Sequence, residues 1–258
     1  MKMTDKSMKY SRKDSSEDST EMGFLDHLEE LRWRLIKILI AVFVFTIAGF
    51  FFSDFFLNLL IEPSKELDMK IQVLKVQGLL MLKFWIAFVV GIVFSIPVLG
   101  YQLWAFVAPG LYQKEKNWGP WLVVSITAFF LLGALFAYTV LVPFALKFLI
   151  GVGVPDVQKN ISIEFYAKFV TQLIVGTGLI FQLPVVSYIL TKMGLVSPSF
   201  LRRSWRYAFM AILVLAAAIT PPDPFSMIVM TIPLVFLYEL SIIVSRFALR
   251  SSEKAVAV

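Results

Sequence analysis

Long runs without a charged side chain divide the chain into apolar segments separated by polar ones. The six main runs are residues 38–53, 84–113, 117–146, 169–191, 207–222 and 224–238. A helix needs ~20 apolar residues, each rising ~1.5 Å, to cross ~30 Å of hydrocarbon. Apolar residues at helical spacing from Phe24 to Leu35 extend the first run backwards as an amphipathic start. The pattern predicts an all-α integral membrane protein with six transmembrane helices.

The last two runs are shorter than a normal membrane span. They hold 16 and 15 residues, which is ~22–24 Å of helix. Helices of this length cross only if charged ends snorkel or the bilayer thins locally. We therefore expect the fifth and sixth helices both to be short.

Basic residues concentrate on one side of this topology. With both termini inside, the inner segments carry 17 Lys and Arg, including all eight Arg, and the outer loops carry seven. Because basic residues are retained on the cytoplasmic side, the bias predicts that the N-terminus and the C-terminus are both cytoplasmic.

The polar ends complete the predicted organisation. Residues 1–23 are rich in Ser and carry five basic and five acidic side chains. Such a segment cannot bury enough apolar area to offset its ordering entropy. We expect a disordered cytoplasmic tail at 1–23, a six-helix transmembrane domain at 24–247 and a cytoplasmic C-terminal tail at 248–258.

Composition supports a membrane protein and excludes most chemistry. The chain is 59% hydrophobic and 16% charged, against ~45–50% and ~25% for soluble domains. Its net charge of +6 is explained by orientation and does not indicate nucleic acid. With no Cys and only His27, the chain has no thiolate or HExxH metal site, and no GxSxG elbow is present. We predict no metal, no cofactor and no enzymatic activity.

The segment His27–Arg34 (HLEELRWR) lies at the inner mouth of the first helix. One interpretation is an interfacial helix start with intrahelical ion pairs, which are weak when exposed. The other is that a carboxylate, Glu30, faces the cation of a partner. Sequence alone does not fix the direction in which Glu30 points.

The loop after the second helix combines aromatic residues with an isolated acid. Trp104 and Phe106 fit an interfacial aromatic belt, and Pro109 interrupts regular helix. Glu115 is the only acid between residues 68 and 156 and is flanked by lysines. It is either a local salt-bridge partner or a receptor for a cation.

Two polar residues lie within predicted helices. A carboxylate at mid-membrane is costly and usually functional, but Glu239 lies nearer the inner interface and can simply anchor packing. Gln182 needs hydrogen-bond partners and indicates an inward, hydrated face. Small residues four apart, Gly91 with Ser95 and residues 133 with 137, predict close helix packing.

Six segments in order resemble the TatC family, the multispanning receptor subunit of the twin-arginine protein translocase. The resemblance covers roughly residues 22–247. The segments are HLEELRWRL, SIPVLGYQLWAFVAPGLYQKEK, GALFAYTVLVPFALKFL, FQLPVV, TPPDPFS and IPLVFLYELSI.

The resemblance implies specific residues. They are two signal-binding acids, Glu30 and Glu115; a basic neighbour, Arg32; a loop aromatic and proline, Phe106 and Pro109; an outer-loop proline, Pro63; and an outer-hairpin acid, Asp223. We expect Trp104 and Leu111, together with Phe106, to add apolar contacts with the signal peptide. Where many members have a membrane-embedded Glu in the fourth helix, this chain has Gln182. A role of that position here would use hydrogen bonding without a titratable charge.

The resemblance also implies a function and partners. These are binding of twin-arginine signal peptides, single-span TatA- and TatB-type subunits, an oligomeric complex in the bacterial cytoplasmic membrane, and export of folded proteins with the proton gradient. The alternative is a secondary transporter or channel for a small solute or ion. That function needs a polar pathway at mid-membrane, for which only Gln182 and Glu239 are available.

Overall fold

The structure is a computed structural model, and its described residues are almost entirely helical. It describes residues 7–65, 69–108, 119–151, 160–219 and 224–256. In chain order the elements are α1 (Ser7–Phe51), α2 (Ser53–Lys65), β1 (Lys70–Gln72), α3 (Val76–Val107), α4 (Gly119–Phe136), a π-helical turn (Ala137–Leu141), α5 (Val142–Gly151), β2 (Asn160–Ser162), α6 (Ile163–Ile180), α7 (Leu183–Lys192), α8 (Pro198–Arg203), α9 (Trp205–Ile219) and α10 (Pro224–Val256).

Six apolar segments form the predicted spans. Five are long enough to cross a bilayer, and α9 is a shorter apolar helix. The long spans are 26–51 in α1, 77–107 in α3, 119–149 across α4, the π turn and α5, 163–192 across α6 and α7, and 227–249 in α10. The six-helix, all-α architecture predicted from the charge-free runs is confirmed.

The prediction that the last two helices are both short holds only for the fifth. Helix α9 has 15 residues, whereas the apolar part of α10 runs from Met227 to Leu249, 23 residues. The prediction ended the sixth helix at its first charge, Glu239. That side chain lies on the exposed surface of α10, so the helix continues past it and gains the length of a full span.

The first helix also begins earlier than expected. Helix α1 starts at Ser7, so helical backbone continues through the segment for which composition predicts disorder. Extending an existing helix needs no new nucleus, so the first span can propagate into a polar segment that would not nucleate alone. The division of the chain at residues 23 and 248 stays a prediction.

Prolines explain the irregular turns inside two spans. In the third span the N–H of Val142 donates to the carbonyl of Ala137, the spacing of a π-helix, and the turn directly precedes Pro143. In the fourth span the helix breaks between α6 and α7, and Pro184 occupies the first turn of α7. Each proline lacks the N–H that would continue the regular ladder.

Close packing of the first two spans depends on a glycine. A Cβ at Gly91 would lie 2.2 Å from the hydroxyl oxygen of Thr46, 2.8 Å from its backbone nitrogen and 2.9 Å from its Cα. Only the missing side chain allows this approach of α3 to α1. Gly133 faces Phe181 in the same way, because a Cβ at Gly133 would lie 2.7 Å from Cγ of the Phe181 ring. The packing predicted from small residues is confirmed at both sites.

The two long loops that the charge bias predicts to lie outside form a joint cap in the part of the chain that is described. Strand β1, from the first loop, pairs in parallel with β2, from the second, with Ile71 opposite Ile161. Beneath them Leu57 and Leu60 of α2 pack in one apolar core with Tyr166 of α6.

Candidate functional site

Glu30 lies at the end of the bundle where α1 reaches α3, and Arg34 holds it. The Nε atom of Arg34 donates to Oε1 of Glu30 at 3.1 Å, and Nη2 of Arg34 donates to the same oxygen. The two residues are four apart on α1, the spacing at which helical side chains meet. The Glu30 side chain is still 37% exposed, so one oxygen is engaged and the carboxylate remains accessible.

Arg34 also connects α1 to the end of α3. Its Nη2 atom donates to the carbonyl oxygen of Ala105 at 2.9 Å. Ala105 is in the last turn of α3, where carbonyl groups have no intrahelical donor and carry partial negative charge. The guanidinium therefore satisfies a helix end and fixes Glu30 in the same interaction.

An aromatic pair borders the carboxylate. The imidazole of His27 stacks on the ring of Phe106, with centroids 4.3 Å apart and an angle of 15° between planes. Nδ1 of His27 lies 3.6 Å from Oε2 of Glu30, which is longer than a hydrogen bond. Oε2 thus keeps its acceptor capacity among the described residues.

The arginine that contacts Glu30 is Arg34 and not its neighbour Arg32. Arg32 is exposed and has no ion pair among the described residues, whereas Arg34 contacts both Glu30 and α3. The spacing of four residues between Glu30 and Arg34 was the signal that could have identified this pair. The stacking of His27 had no such local signal, because Phe106 belongs to another helix.

The loop residues predicted for the site are only partly described. Phe106 joins the cluster, but Pro109, Leu111 and Glu115 lie outside the described residues. Trp104 contributes to a different feature, an apolar groove of about 310 Å³ between α3, α4, α7 and α10. The groove is lined by Trp104, Trp121, Leu122, Ser125, Phe129, Pro184, Val185, Tyr188, Ile189, Lys192 and Val244.

The remaining predicted residues lie away from Glu30. Nε2 of Gln182 donates to the carbonyl oxygen of Ile126 at 3.0 Å, so this half-buried amide ties the break in the fourth span to α4. Pro63 is buried inside α2, and Glu239 is exposed on α10. Asp223 lies outside the described residues. In the described part of the chain no cluster of His, Asp and Glu is arranged to hold a metal ion.

The fold and this cluster define a multi-pass α-helical membrane protein with a charged cluster at one end of the bundle. The family model described as "Sec-independent protein translocase protein (TatC)" matches residues 26–233. The chain belongs to the TatC family, and so it is a component of the Sec-independent protein translocase that acts with other subunits of that system. The relatives are named as translocase proteins and not as enzymes.

Relatives and solved structures cover most of the chain. TatCy of Bacillus subtilis is 40% identical over 239 residues, which span 92% of this chain and 94% of that protein. TatC of Aquifex aeolicus is 35% identical over 237 residues, spanning 90% and 98%. A crystal structure of the twin-arginine translocase receptor TatC matches with a TM-score of 0.78 and 35% identity, covering 86% of this chain and 99% of that one.

Proposed function

We propose that this protein is the receptor subunit of the twin-arginine translocase and that Glu30 binds an arginine of the signal peptide. The observation that carries the proposal is the geometry of Glu30: Arg34 engages Oε1, while Oε2 stays accessible on a half-exposed side chain. The similarity to a crystallised TatC that is itself called a twin-arginine translocase receptor supports this role.

Guanidinium chemistry suits such a site. An arginine side chain is planar, always charged at physiological pH and rich in donors, so it pairs well with a carboxylate. Arg34 occupies only one side of Glu30, which leaves room for a second guanidinium at Oε2. We propose Glu115 as the acid for the other arginine of the pair, with Arg32 as a nearby basic residue.

Charge alone does not account for useful affinity. Micromolar binding needs ~8 kcal/mol, and a few charge-assisted hydrogen bonds supply only part of it. We assign the remainder to the apolar region of the signal peptide against Phe106, Trp104, Pro109 and Leu111. The apolar groove beside Trp104 supports this assignment, because it offers a concave surface at the end of α3.

The proposed site faces the cytoplasm. An even number of spans places both termini on one side, and the excess of basic residues on that side predicts that it is cytoplasmic. Precursor proteins are made in the cytoplasm, so a receptor for their signal peptides must open there. We accordingly propose the bacterial cytoplasmic membrane, with both termini inside.

Export of folded proteins needs further subunits. The described helices pack on one another around apolar cores, and an apolar bundle of six helices offers no obvious path for a folded protein. We propose that single-span TatA- and TatB-type proteins and further copies of this chain complete the machinery, driven by the proton-motive force. Helix α9 is a candidate contact, because at ~22 Å it is shorter than the hydrocarbon and favours local thinning.

Peptide binding to purified protein tests the proposal. Glu30→Gln and Glu115→Gln should each raise the Kd for a twin-arginine signal peptide about 10-fold, since each removes one charged acceptor. The double variant should lose less than the product of the two effects, because both arginines belong to one ligand. Glu29→Gln, the exposed neighbour on α1, is the matched control. Unchanged binding in the double variant would refute the receptor assignment.

A further inference from the structure

The stacked pair of His27 and Phe106 presents a flat aromatic surface beside the available oxygen of Glu30. Phe106 covers one face of the imidazole, at 4.3 Å between centroids and 15° between planes. The His27 side chain is nevertheless 49% exposed. Because one face is covered, the exposed area lies on the opposite face and the ring edges. A second planar group can therefore stack on this ring.

The position of this surface relative to Glu30 selects the kind of group that fits. Oε2 of Glu30 lies 3.6 Å from Nδ1 of His27, so a group resting on the imidazole is also within reach of the carboxylate. A guanidinium is flat, stacks on aromatic faces and donates hydrogen bonds in its own plane. A lysine ammonium is a compact, strongly hydrated charge that can pair with the carboxylate but has no plane to stack.

We propose that His27 determines the preference of this site for arginine over lysine. Glu30 supplies attraction for either cation, and the His27 ring adds a planar stacking contact that favours the guanidinium over the ammonium. The inference rests on the proposed signal-peptide function and assigns a residue that discriminates between ligands at that site. Arg34 supports it indirectly, because its bond to Ala105 holds the end of α3, and thus Phe106, against the start of α1.

A purely structural role for the stack predicts a different outcome. If the ring pair only fastens α1 to α3, its loss disturbs Glu30 and weakens binding of every cationic peptide equally. The informative quantity is therefore the ratio of two dissociation constants, for a peptide with an Arg-Arg pair and for the same peptide with Lys-Lys. A structural defect leaves this ratio unchanged, whereas loss of stacking lowers the advantage of the Arg-Arg peptide.

Two substitutions separate the ring from its nitrogen. His27→Phe keeps an aromatic face on Phe106 but has no atom that can hydrogen-bond with Glu30. His27→Asn places a polar group where Nδ1 stood but has no ring. Because planar stacking favours a guanidinium over an ammonium, we expect His27→Asn to lower the Lys-Lys to Arg-Arg ratio of dissociation constants about 3-fold or more, and His27→Phe to retain it.

The measurement uses labelled peptides and the full chain in detergent micelles or nanodiscs, with thermal unfolding to confirm that each variant is folded. Two results overturn the assignment of stacking. One is an unchanged Lys-Lys to Arg-Arg ratio of dissociation constants in His27→Asn, and the other is a decrease of this ratio in His27→Phe as large as that in His27→Asn. The receptor function fails separately, if the unmodified protein binds neither peptide or if Glu30→Gln leaves both constants unchanged. An effect of Glu30→Gln without any effect of His27→Asn rejects only the role of His27.

Discussion

Tyr138 donates a hydrogen bond from its hydroxyl to the backbone carbonyl oxygen of Leu59 at 2.8 Å. Leu59 lies four residues before Pro63 in α2, so its carbonyl is the one that the missing proline N–H leaves without an intrahelical donor. Tyr138 belongs to the π-helical turn of the third span. The outer-loop proline thus creates an acceptor on α2, and the third span supplies the donor.

Removing this hydroxyl should cost more stability where the proline is present than where it is replaced. Tyr138→Phe should lower the free energy of unfolding by about 1 kcal/mol. In a Pro63→Ala background the cost should be smaller, because the alanine N–H restores a donor to Leu59. The unmodified protein, the two single variants and the double variant form a double-mutant cycle. Their free energies of unfolding in micelles give the coupling energy between Tyr138 and Pro63.

Tyr166 provides the matched control for this cycle. Its hydroxyl donates to the carbonyl oxygen of Leu60 at 2.8 Å, and the residue four positions after Leu60 is Ser64, which has an N–H in either background. Tyr166→Phe should therefore cost the same with Pro63 or with alanine. Equal costs of Tyr138→Phe in both backgrounds would show that the proline does not create its acceptor.

A methyl group at Gly91 should separate the first two spans. Gly91→Ala should lower the free energy of unfolding by about 1–3 kcal/mol, since overpacked sites force backbone shifts. Thr46→Ala should not rescue it, because the new Cβ would still lie 2.8 Å from the backbone nitrogen of residue 46. Gly151→Ala is the control, as a Cβ there meets nothing within 4 Å, and it should change stability by less than about 0.5 kcal/mol.

The two arginines near Glu30 should differ in their contribution to stability. Arg34→Ala removes the donor to Ala105 at the end of α3 and should lower the free energy of unfolding by about 1 kcal/mol or more. Arg32→Ala, on the exposed side of α1, should change it by less than about 0.5 kcal/mol. Chemical or thermal unfolding in micelles measures both, and similar losses would show that Arg34 does not clamp the two helices.

If the short helix α9 thins the bilayer around it, lengthening α9 should impair protein export. Inserting four apolar residues into the middle of α9 adds one turn, ~5–6 Å, and should impair export of a folded reporter that carries a twin-arginine signal. The same insertion after Glu253, near the C-terminal end of α10, controls for expression and assembly. Full export with the longer helix would contradict thinning at α9 as part of the mechanism.

Local patterns predicted the elements better than the contacts between them. Apolar runs gave the six spans, and the spacing of Glu30 and Arg34 is that of a pair on one helical face. The hydrogen bond from Arg34 to Ala105 joins residues 71 positions apart. The apolar periodicity within α1 or α3 does not determine how far one helix is shifted along the other, so the sequence could not predict this contact. Helix α10 is longer than the charge-free run predicts. The run ends at Glu239, but this side chain is exposed and leaves the helix intact.

The parallel pairing of β1 with β2 also bears on how the bundle can open. These strands belong to the loops that join the first span to the second and the third to the fourth, so their pairing ties four spans together at one end. Spreading those ends apart would break the ladder between Ile71 and Ile161 and expose backbone donors and acceptors. We therefore expect any spreading of these four spans to begin at their opposite ends.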